Sequence, residues 1–222
     1  MNVNDIIWTP EPWLPYLATD YIRQIGPRHV FEWGTGGSTI FFKEIGAHVV
    51  SVESNEEWAA KIQQELQARL LYHDIDYNVI PYELGDIGPD YSDPTHYKSY
   101  NTEYPPANFK KYVDFIDDKG LFDLILIDGY ARASCIVHAV KHVKLGGWLV
   151  IDNTDRDWYL KKTVRLFDGW ERVDFYGYGP ILAHEWQTTF FRNASKEYYT
   201  RTNLTHRAQR ATAIMWILKG AL

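Results

Sequence analysis

Short apolar segments alternate along the chain with longer segments of helical periodicity. The apolar segments cover residues 29–33, 48–53, 122–128 and 148–152, and a weaker one covers residues 75–82. Each of the four clear segments ends in, or beside, an acid or a glycine. Strands that alternate with helices are typical of an α/β fold built on a mostly parallel sheet, and we predict such a fold here.

The first clear helix is predicted over residues 54–72. Ser54 and Glu57 resemble a capping box at its start. Its apolar stripe consists of Trp58, Ile62, Leu66 and Leu70. This spacing places all four side chains on one helix face, so we expect that face to pack on the sheet.

A second helix is predicted over residues 131–147, where we expect Gly146 and Gly147 to end it. Cys135 lies beside the apolar stripe of this helix. Small buried cysteines are common in cores, and no basic group is implied beside this one. We therefore expect Cys135 to be a core residue rather than a nucleophile.

The alternation breaks between residues 85 and 119. This segment is rich in prolines and tyrosines, including Pro89, Pro94, Pro105, Pro106, Tyr91, Tyr97, Tyr100 and Tyr104. We predict a long ordered loop or lid, followed by a short helix around residues 109–116. Loops of this length are usually functional or disordered, and the many aromatic rings favour a function.

The remainder of the chain predicts a helix over residues 157–167 and then a terminal antiparallel pair, WERVDFYGYGP and HEWQTTFFR. Residues 203–218 carry an apolar stripe of helical spacing. We expect this stripe to pack on the parent domain or on a second copy of the chain, as in a homodimer. The whole chain, residues 1–222, is predicted to form one domain with a core at about 26–192 and a helical extension at about 196–222.

Composition excludes several classes of protein. The chain has 222 residues, a net charge of -6 and one cysteine, Cys135. The negative charge argues against a broad basic surface for nucleic acid, and a single cysteine excludes an internal disulfide or a thiolate zinc site. We find neither a leader sequence nor a membrane span, so we expect a soluble cytoplasmic protein.

The stretch VFEWGTGGSTIFF, residues 30–42, places a glycine loop between a strand and a helix. Bare backbone and the amide groups of a helix start form a surface that a ligand can approach. Glu53 ends the next strand, close to the offset at which an acid can bind a ribose diol. These features predict a nucleoside site, and a nicotinamide enzyme would also explain them. Thr39 replaces the third glycine of the dinucleotide pattern, and Glu32 would repel a pyrophosphate.

The segments FEWGTGGST, VSVES, FDLILIDG and GGWLVIDN together resemble the successive motifs of the class I S-adenosylmethionine-dependent methyltransferases, over about residues 28–192. The resemblance implies a Rossmann-like, doubly wound sheet of seven strands with an antiparallel last strand and helices on both faces. It implies that the glycine loop holds the methionine end of the cofactor, the acid of the second strand its ribose, and a later acid its adenine. The implied cofactor contacts are Glu32, Gly34, Thr35, Gly36, Gly37, Ser38, Thr39, Glu53, Ser54, Asp86 and Asp128.

Asp128, Asp152 and Asn153 follow two strands whose carboxyl ends should share one edge. Their pattern resembles the metal ligands of catechol-type O-methyltransferases, which implies Mg²⁺ there and a metal-activated acceptor hydroxyl. The alternative is that these side chains cap helices and hold loops. Without a metal, Asp128 or His184 is the candidate general base.

Arg132 follows Asp128 on the same edge, and its role has two interpretations. Its planar guanidinium could clamp an anionic substrate, or it could pair with Asp128 or Asp155. The sequence favours neither of them.

The functional hypothesis is methyl transfer from S-adenosylmethionine to an oxygen of a small polar molecule, of the sugar or phenol class. The second hypothesis is an inactive methyltransferase fold that serves as an interaction or regulatory module. A nicotinamide oxidoreductase ranks third, because the glycine spacing differs and we find no Tyr-x-x-x-Lys pair after a suitable strand.

Overall fold

A computed structural model of the chain describes residues 9–85, 88–100 and 106–194. Its main sheet has seven strands. They are β1 (His29–Trp33), β2 (His48–Glu53), β3 (Ile75–Val79), β4 (Phe122–Ile127), β5 (Val143–Asp152), β6 (Glu171–Gly177) and β7 (Trp186–Arg192). All five predicted apolar segments and the predicted terminal pair are strands of this sheet.

The strand order is β3-β2-β1-β4-β5-β7-β6. Strands β1 to β5 pair in parallel, whereas β7 runs antiparallel to both of its neighbours, β5 and β6. The order reverses beside β1, where β2 lies on one side and β4 on the other. This arrangement confirms the predicted doubly wound fold with an antiparallel last strand.

Helices cover both faces of the sheet. They are α1 (Tyr16–Ile25), α2 (Gly37–Glu44), α3 (Glu56–Ala68), α4 (Lys110–Asp114) and α5 (Arg132–Ala139). Alternate side chains of β1 serve the two faces, because Phe31 belongs to the core that includes α4 and α5, and Val30 to the core that includes α1 and α2. Cys135 of α5 is fully buried in the first core, as expected, and burial raises the pKa of its thiol.

The cap of α3 lies one residue later than predicted. The side chain of Asn55, not that of Ser54, accepts a hydrogen bond from the backbone amide of Trp58 at 2.9 Å. Glu56 and Glu57 occupy the first turn, where carboxylates are stabilised by the helix dipole. The correction leaves the hydroxyl of Ser54 without a capping role.

The second predicted helix was wrong at its carboxyl end. Helix α5 stops at Ala139, and residues 143–147 open strand β5 instead. The register between β4 and β5 shifts at this point, and a Cβ on Gly147 would lie only 2.9 Å from the carbonyl oxygen of Asp123. The glycine pair therefore permits an irregular, closely packed strand entry rather than a helix end.

The helix predicted over residues 157–167 is also wrong. The segment forms two short 3-10 turns, Asp157–Tyr159 and Val164–Phe167. Adjacent β-branched residues, Thr163 and Val164, disfavour a continuous helix. The Trp158 ring packs instead against Tyr91 and Tyr100, so tertiary contacts replace helical periodicity.

The segment predicted as a lid is described over residues 88–100 and 106–119. Residues Glu83–Leu84 and Ala107–Asn108 form a small antiparallel pair, and α4 begins two residues later, where the short helix was predicted. Asp86, residues 101–105 and the predicted extension at 196–222 lie outside the described residues. Across the described part of the chain, no helix combines the length and apolar character needed to cross a membrane.

Candidate active site

The carboxyl ends of β1, β2, β4 and β5 bring most of the predicted site residues to one edge of the sheet. The loop after β1 touches the loop after β4, because the backbone amide of Asp128 donates to the carbonyl of Trp33 at 3.0 Å. The amide of Gly34 donates to the carbonyl of Val52 on β2 at 2.9 Å. These bonds join the loops after β1 and β4 to the end of β2 at the point where the strand order reverses, which is the usual ligand position in open α/β sheets.

Glu32 is fully enclosed beneath the glycine loop. Its carboxylate accepts hydrogen bonds from Ser38 Oγ at 2.8 Å, from Ser51 Oγ at 2.7 Å and from Thr39 Oγ1. These hydroxyls fix the start of α2 against β1 and β2. Burial raises the pKa of Glu32 to about 7, although the three hydroxyls act in the opposite direction. In this structure Glu32 therefore holds the loop, and a direct contact with a ligand would require a hydroxyl to move.

A Glu32→Gln variant measures the cost of this buried acid. The pKa rises on folding from 4.5 to about 7, so the cost is absent below the lower value and complete above the higher one. The difference corresponds to about 3 kcal/mol of unfolding free energy. We expect the variant to be more stable than wild type by up to that amount at about pH 8, and similar to it at about pH 4. Urea unfolding at both values checks this, and an equal gain at both would contradict it.

Glu53 is also buried, and its carboxylate is saturated by the loops around it. Oε1 accepts from the amides of Ser54 at 2.7 Å and Asn55 at 2.8 Å. Oε2 accepts from the amide of Thr35 at 3.0 Å and from its hydroxyl at 3.2 Å. Burial raises the pKa of Glu53, and these bonds lower it. The acid thus connects the end of β2 to the centre of the glycine loop.

The hydroxyl of Ser54, the residue after Glu53, is buried, and no hydrogen-bond partner for Oγ lies among the described residues. A buried hydroxyl without a partner costs free energy, so native structures usually supply one. Asn55 caps α3 instead, so the Ser54 hydroxyl has no role in the capping of that helix.

Two aromatic residues that the sequence analysis did not assign to the site hold the glycine loop. Trp58 Nε1 donates to the carbonyl of Thr35 at 2.7 Å, and Tyr77 OH donates to Thr35 Oγ1 at 3.0 Å. The apolar stripe of α3 correctly placed Trp58 in a core. The feature of the sequence that could have indicated this contact is the indole N–H of Trp58, which needs a hydrogen-bond acceptor when the ring is buried.

The three glycines of the loop differ in how closely the rest of the chain packs against them. A Cβ on Gly34 would lie 2.8 Å from the amide nitrogen of Gly129, and a Cβ on Gly37 would lie 1.9 Å from the carbonyl oxygen of Glu11. Close packing within the chain therefore accounts for both. A Cβ on Gly36 would meet only the ring of Trp58 at an ordinary 3.8 Å. Packing within the chain therefore does not require glycine at that position.

Gly34→Ala is expected to destabilise the fold strongly. Gly34 has a φ of +92°, and its added methyl would clash with the backbone of Gly129. Backbone strain and overpacking together predict a loss of about 2–5 kcal/mol in unfolding free energy. Urea unfolding checks this against Gly120→Ala, because nothing lies within 4 Å of a Cβ there. Equal stabilities of the two variants would show that the loops after β1 and β4 do not meet closely.

The predicted metal ligands converge, but around the side chain of Arg132. The guanidinium donates to Asp128 Oδ1 at 2.9 Å and to Asn153 Oδ1 at 3.1 Å, and it lies 3.8 Å from Asp152 Oδ2. Of the two earlier interpretations of Arg132, pairing with Asp128 is the one seen. Asp155 instead accepts from the amide of Gln187.

Arranged in this way, Asp128, Asp152 and Asn153 do not fit Mg²⁺. A divalent cation needs several of their oxygens in its own shell, and the guanidinium already occupies the space between them. Asp152 Oδ1 is further engaged by Trp186 Nε1 at 3.0 Å and by the hydroxyl of Thr188.

The two carboxylates of the edge differ in access. The Asp128 side chain is 23% exposed, whereas that of Asp152 is 3% exposed. Burial and the neighbouring Asp152 raise the pKa of Asp128, and Arg132 opposes the shift. Burial also raises the pKa of Asp152. Asp128 is therefore the member of the pair that another molecule can reach, and its raised pKa suits a proton acceptor.

The other predicted base, His184, is exposed on the approach to β7. Its ring centroid lies 6.5 Å from that of Trp186, whose indole binds Asp152. The structure therefore places His184 near the edge, with Trp186 between it and the carboxylates. Its role as a base stays a prediction.

Aromatic rings from the predicted lid stand beside this edge. Tyr91 and Tyr100 pack against Trp158, with ring centroids 5.8 and 5.0 Å apart, respectively. Lys162 pairs with Asp90 and Asp93, which fastens the same segment to the turn after β5. The buried Nε1 of Trp158 has no hydrogen-bond partner among the described residues. The rings and this donor make the region a candidate acceptor surface.

Comparison with known proteins gives a match at the level of structure. No protein-family profile matches the chain, and no curated protein matches it in sequence. An O-methyltransferase from Bacillus cereus in complex with S-adenosylhomocysteine (SAH) is similar, with 15% identity, a TM-score of 0.58, and coverage of 79% of this chain and 78% of that chain.

Two further solved structures are also similar. An O-methyltransferase from Streptomyces achromogenes involved in tomaymycin synthesis, in complex with S-adenosylmethionine, has 14% identity, a TM-score of 0.56, and coverage of 81% of this chain and 78% of that chain. An rRNA methylase from Streptococcus thermophilus has 10% identity, a TM-score of 0.53, and coverage of 81% and 96%. This chain has the fold of the class I S-adenosylmethionine-dependent methyltransferases.

Proposed function

We infer that the protein binds S-adenosylmethionine at the glycine loop and transfers its methyl group to an oxygen of a small polar acceptor, of the sugar or phenol class. The observation that carries this proposal is Gly36: the loop has glycine at this position although packing within the chain does not require it. It is the N-cap of α2 and lies in the fold position where ligands gather.

The ribose contact is assigned to Glu53 and Ser54. A ribose hydroxyl that displaces the Thr35 hydroxyl from Glu53 would gain a charged acceptor, and Thr35 would keep its bond with Tyr77. The second ribose hydroxyl would provide a partner for the Ser54 hydroxyl, which has none among the described residues. Asp86 remains the predicted adenine contact. The solved complexes of the same fold with S-adenosylmethionine and SAH support this choice of cofactor.

Asp128 is proposed as the general base. Bound S-adenosylmethionine supplies a methyl group on a positively charged sulfur. Asp128 would take the proton of the acceptor hydroxyl when the hydroxyl oxygen accepts that methyl group and the sulfur leaves as the neutral thioether. The partial exposure and raised pKa of Asp128 support this role. His184 is the second candidate base.

The acceptor class follows from the neighbouring rings. Tyr91, Tyr100 and Trp158 offer flat apolar faces together with a buried indole donor. Such faces stack against a phenolic ring or the apolar face of a sugar, while the indole N–H can bind an acceptor oxygen. The net charge of -6 does not favour a nucleic-acid acceptor.

Transfer of labelled methyl groups tests the proposal against an inactive interaction module. The purified protein is incubated with methyl-labelled S-adenosylmethionine and a panel of sugars and phenols. We expect label in at least one acceptor, and no label in Gly36→Val, whose side chain would fill the space next to the loop. A wild-type protein that binds SAH but labels no acceptor would favour the interaction module instead.

A further inference from the structure

Arg132 is saturated with hydrogen bonds at the centre of the candidate site. Its Nε donates to the carbonyl of Gly129 at 3.0 Å. One terminal nitrogen donates to the carbonyl of Asp152 at 2.6 Å and to Asn153 Oδ1 at 3.1 Å. The other donates to the carbonyl of Asp128 at 2.7 Å and to its Oδ1 at 2.9 Å. A guanidinium has five N–H donors, and these five hydrogen bonds give each of them a partner.

This saturation excludes the role of an anion clamp. A clamp must keep two parallel N–H groups free for the incoming carboxylate or phosphate. The Arg132 side chain is only 10% exposed, and the ring of Tyr159 covers its guanidinium at 5.2 Å. A methyl-acceptor molecule would therefore contact the residues around Arg132 and not the N–H groups of its guanidinium.

The oxygens around Arg132 belong to the residues that would otherwise hold a divalent cation. Asp128 and Asn153 give side-chain oxygens, Asp128 and Asp152 also give carbonyls, and the Asp152 carboxylate lies 3.8 Å away. Two carboxylates at a largely buried edge need a positive charge beside them. Arg132 supplies that charge from within the chain.

We propose that Arg132 is a resident cation that takes the place of a divalent metal at this edge. It is a positioning residue, because it acts by orienting Asp128 and balancing the charge of Asp128 and Asp152. The inference rests on the proposed function for its meaning in catalysis, since it makes methyl transfer independent of added metal. It also assigns the acceptor proton to Asp128, with no metal available to acidify the hydroxyl.

Binding of Mn²⁺ alone, followed by electron paramagnetic resonance, tests the proposal on the full chain. We expect no bound Mn²⁺ in wild type at this edge. Arg132→Ala leaves the oxygens without their cation, so we expect it to gain a Mn²⁺ site that a second change, Asp152→Asn, removes. Arg172→Ala is the matched control, because Arg172 pairs with Asp174 on β6. We expect that control to bind no Mn²⁺ at this edge.

Arg132→Lys provides a second variant if Arg132→Ala does not fold, because it keeps a positive charge at the edge. We expect this variant to lack the Mn²⁺ site, as wild type does. Mn²⁺ bound by wild type and lost in Asp152→Asn would overturn the proposal. Failure of a folded Arg132→Ala to gain Mn²⁺ would overturn it as well.

Calorimetry with SAH on the same samples separates this inference from the proposed function. Wild type that binds SAH and also binds Mn²⁺ at the edge would refute only the resident cation. Wild type that binds neither would refute the proposed function and leave Arg132 as a structural cation. If wild type is active, we expect methyl transfer to be unchanged by a chelator.

Discussion

Asp128→Asn is expected to slow methyl transfer by roughly 10²- to 10⁴-fold, the usual contribution of a positioned general base. An asparagine keeps an oxygen for the 2.9 Å bond from Arg132, so the loop geometry should survive. What it loses is the ability to take the acceptor proton. SAH affinity should therefore stay close to that of wild type.

The pH dependence of the rate gives a second readout for Asp128. Burial raises the pKa of this carboxyl, and a base must be deprotonated to act. We therefore expect the wild-type rate to rise with pH through that raised pKa, and the rise to be absent in Asp128→Asn. Asp155→Asn is the control, because Asp155 is exposed on the same edge and binds the amide of Gln187. A fully active Asp128→Asn would assign the base elsewhere, with His184 the next residue to change.

Glu53→Gln is expected to weaken SAH binding by about 10- to 100-fold, since bonds to a charged acceptor each contribute about 1.5–3 kcal/mol. The amide group of glutamine would also face N–H donors of Thr35 or of Ser54 and Asn55. Some loss of unfolding free energy should therefore accompany the loss of affinity.

The matched control for this change is Glu56→Gln, in the exposed first turn of the following helix. Calorimetry and thermal unfolding on both variants separate the loss of binding from the loss of stability. Glu53→Gln with wild-type affinity for SAH would place the ribose away from β2.

Much of the fold could be predicted because local and global preferences agree in its strands. Residues 29–33 and 48–53 are apolar, β-rich and bounded by turns, and both are observed with the predicted limits. Prediction failed where tertiary contacts determine the local structure. Gly147 is needed for close packing inside β5 rather than to end a helix, and Trp158 leaves helical geometry to pack on Tyr91 and Tyr100.

The sequence indicated which residues the fold would bring to this edge, but not which contacts they make there. A carboxylate before a glycine loop identifies Glu32, yet only the fold shows that Ser38, Thr39 and Ser51 enclose it. The spacing of Ser54 and Glu57 fitted a capping box, and the competition with Asn55 was decided by backbone geometry.

The pattern of acids after β4 and β5 could not reveal which cation they surround. Arg132 is adjacent in sequence, but its five bonds depend on how α5 leaves the sheet. Side-chain direction across a loop is a tertiary property, so sequence spacing could not show that the Arg132 guanidinium lies between these acids.

Calorimetric titration of the wild-type protein with SAH tests the central claim most directly. The account predicts saturable binding at one site per chain, weakened in both Glu53→Gln and Gly36→Val while Glu56→Gln binds as wild type does. Absence of heat at millimolar SAH, with the protein folded, would contradict the assignment of the glycine loop to this cofactor.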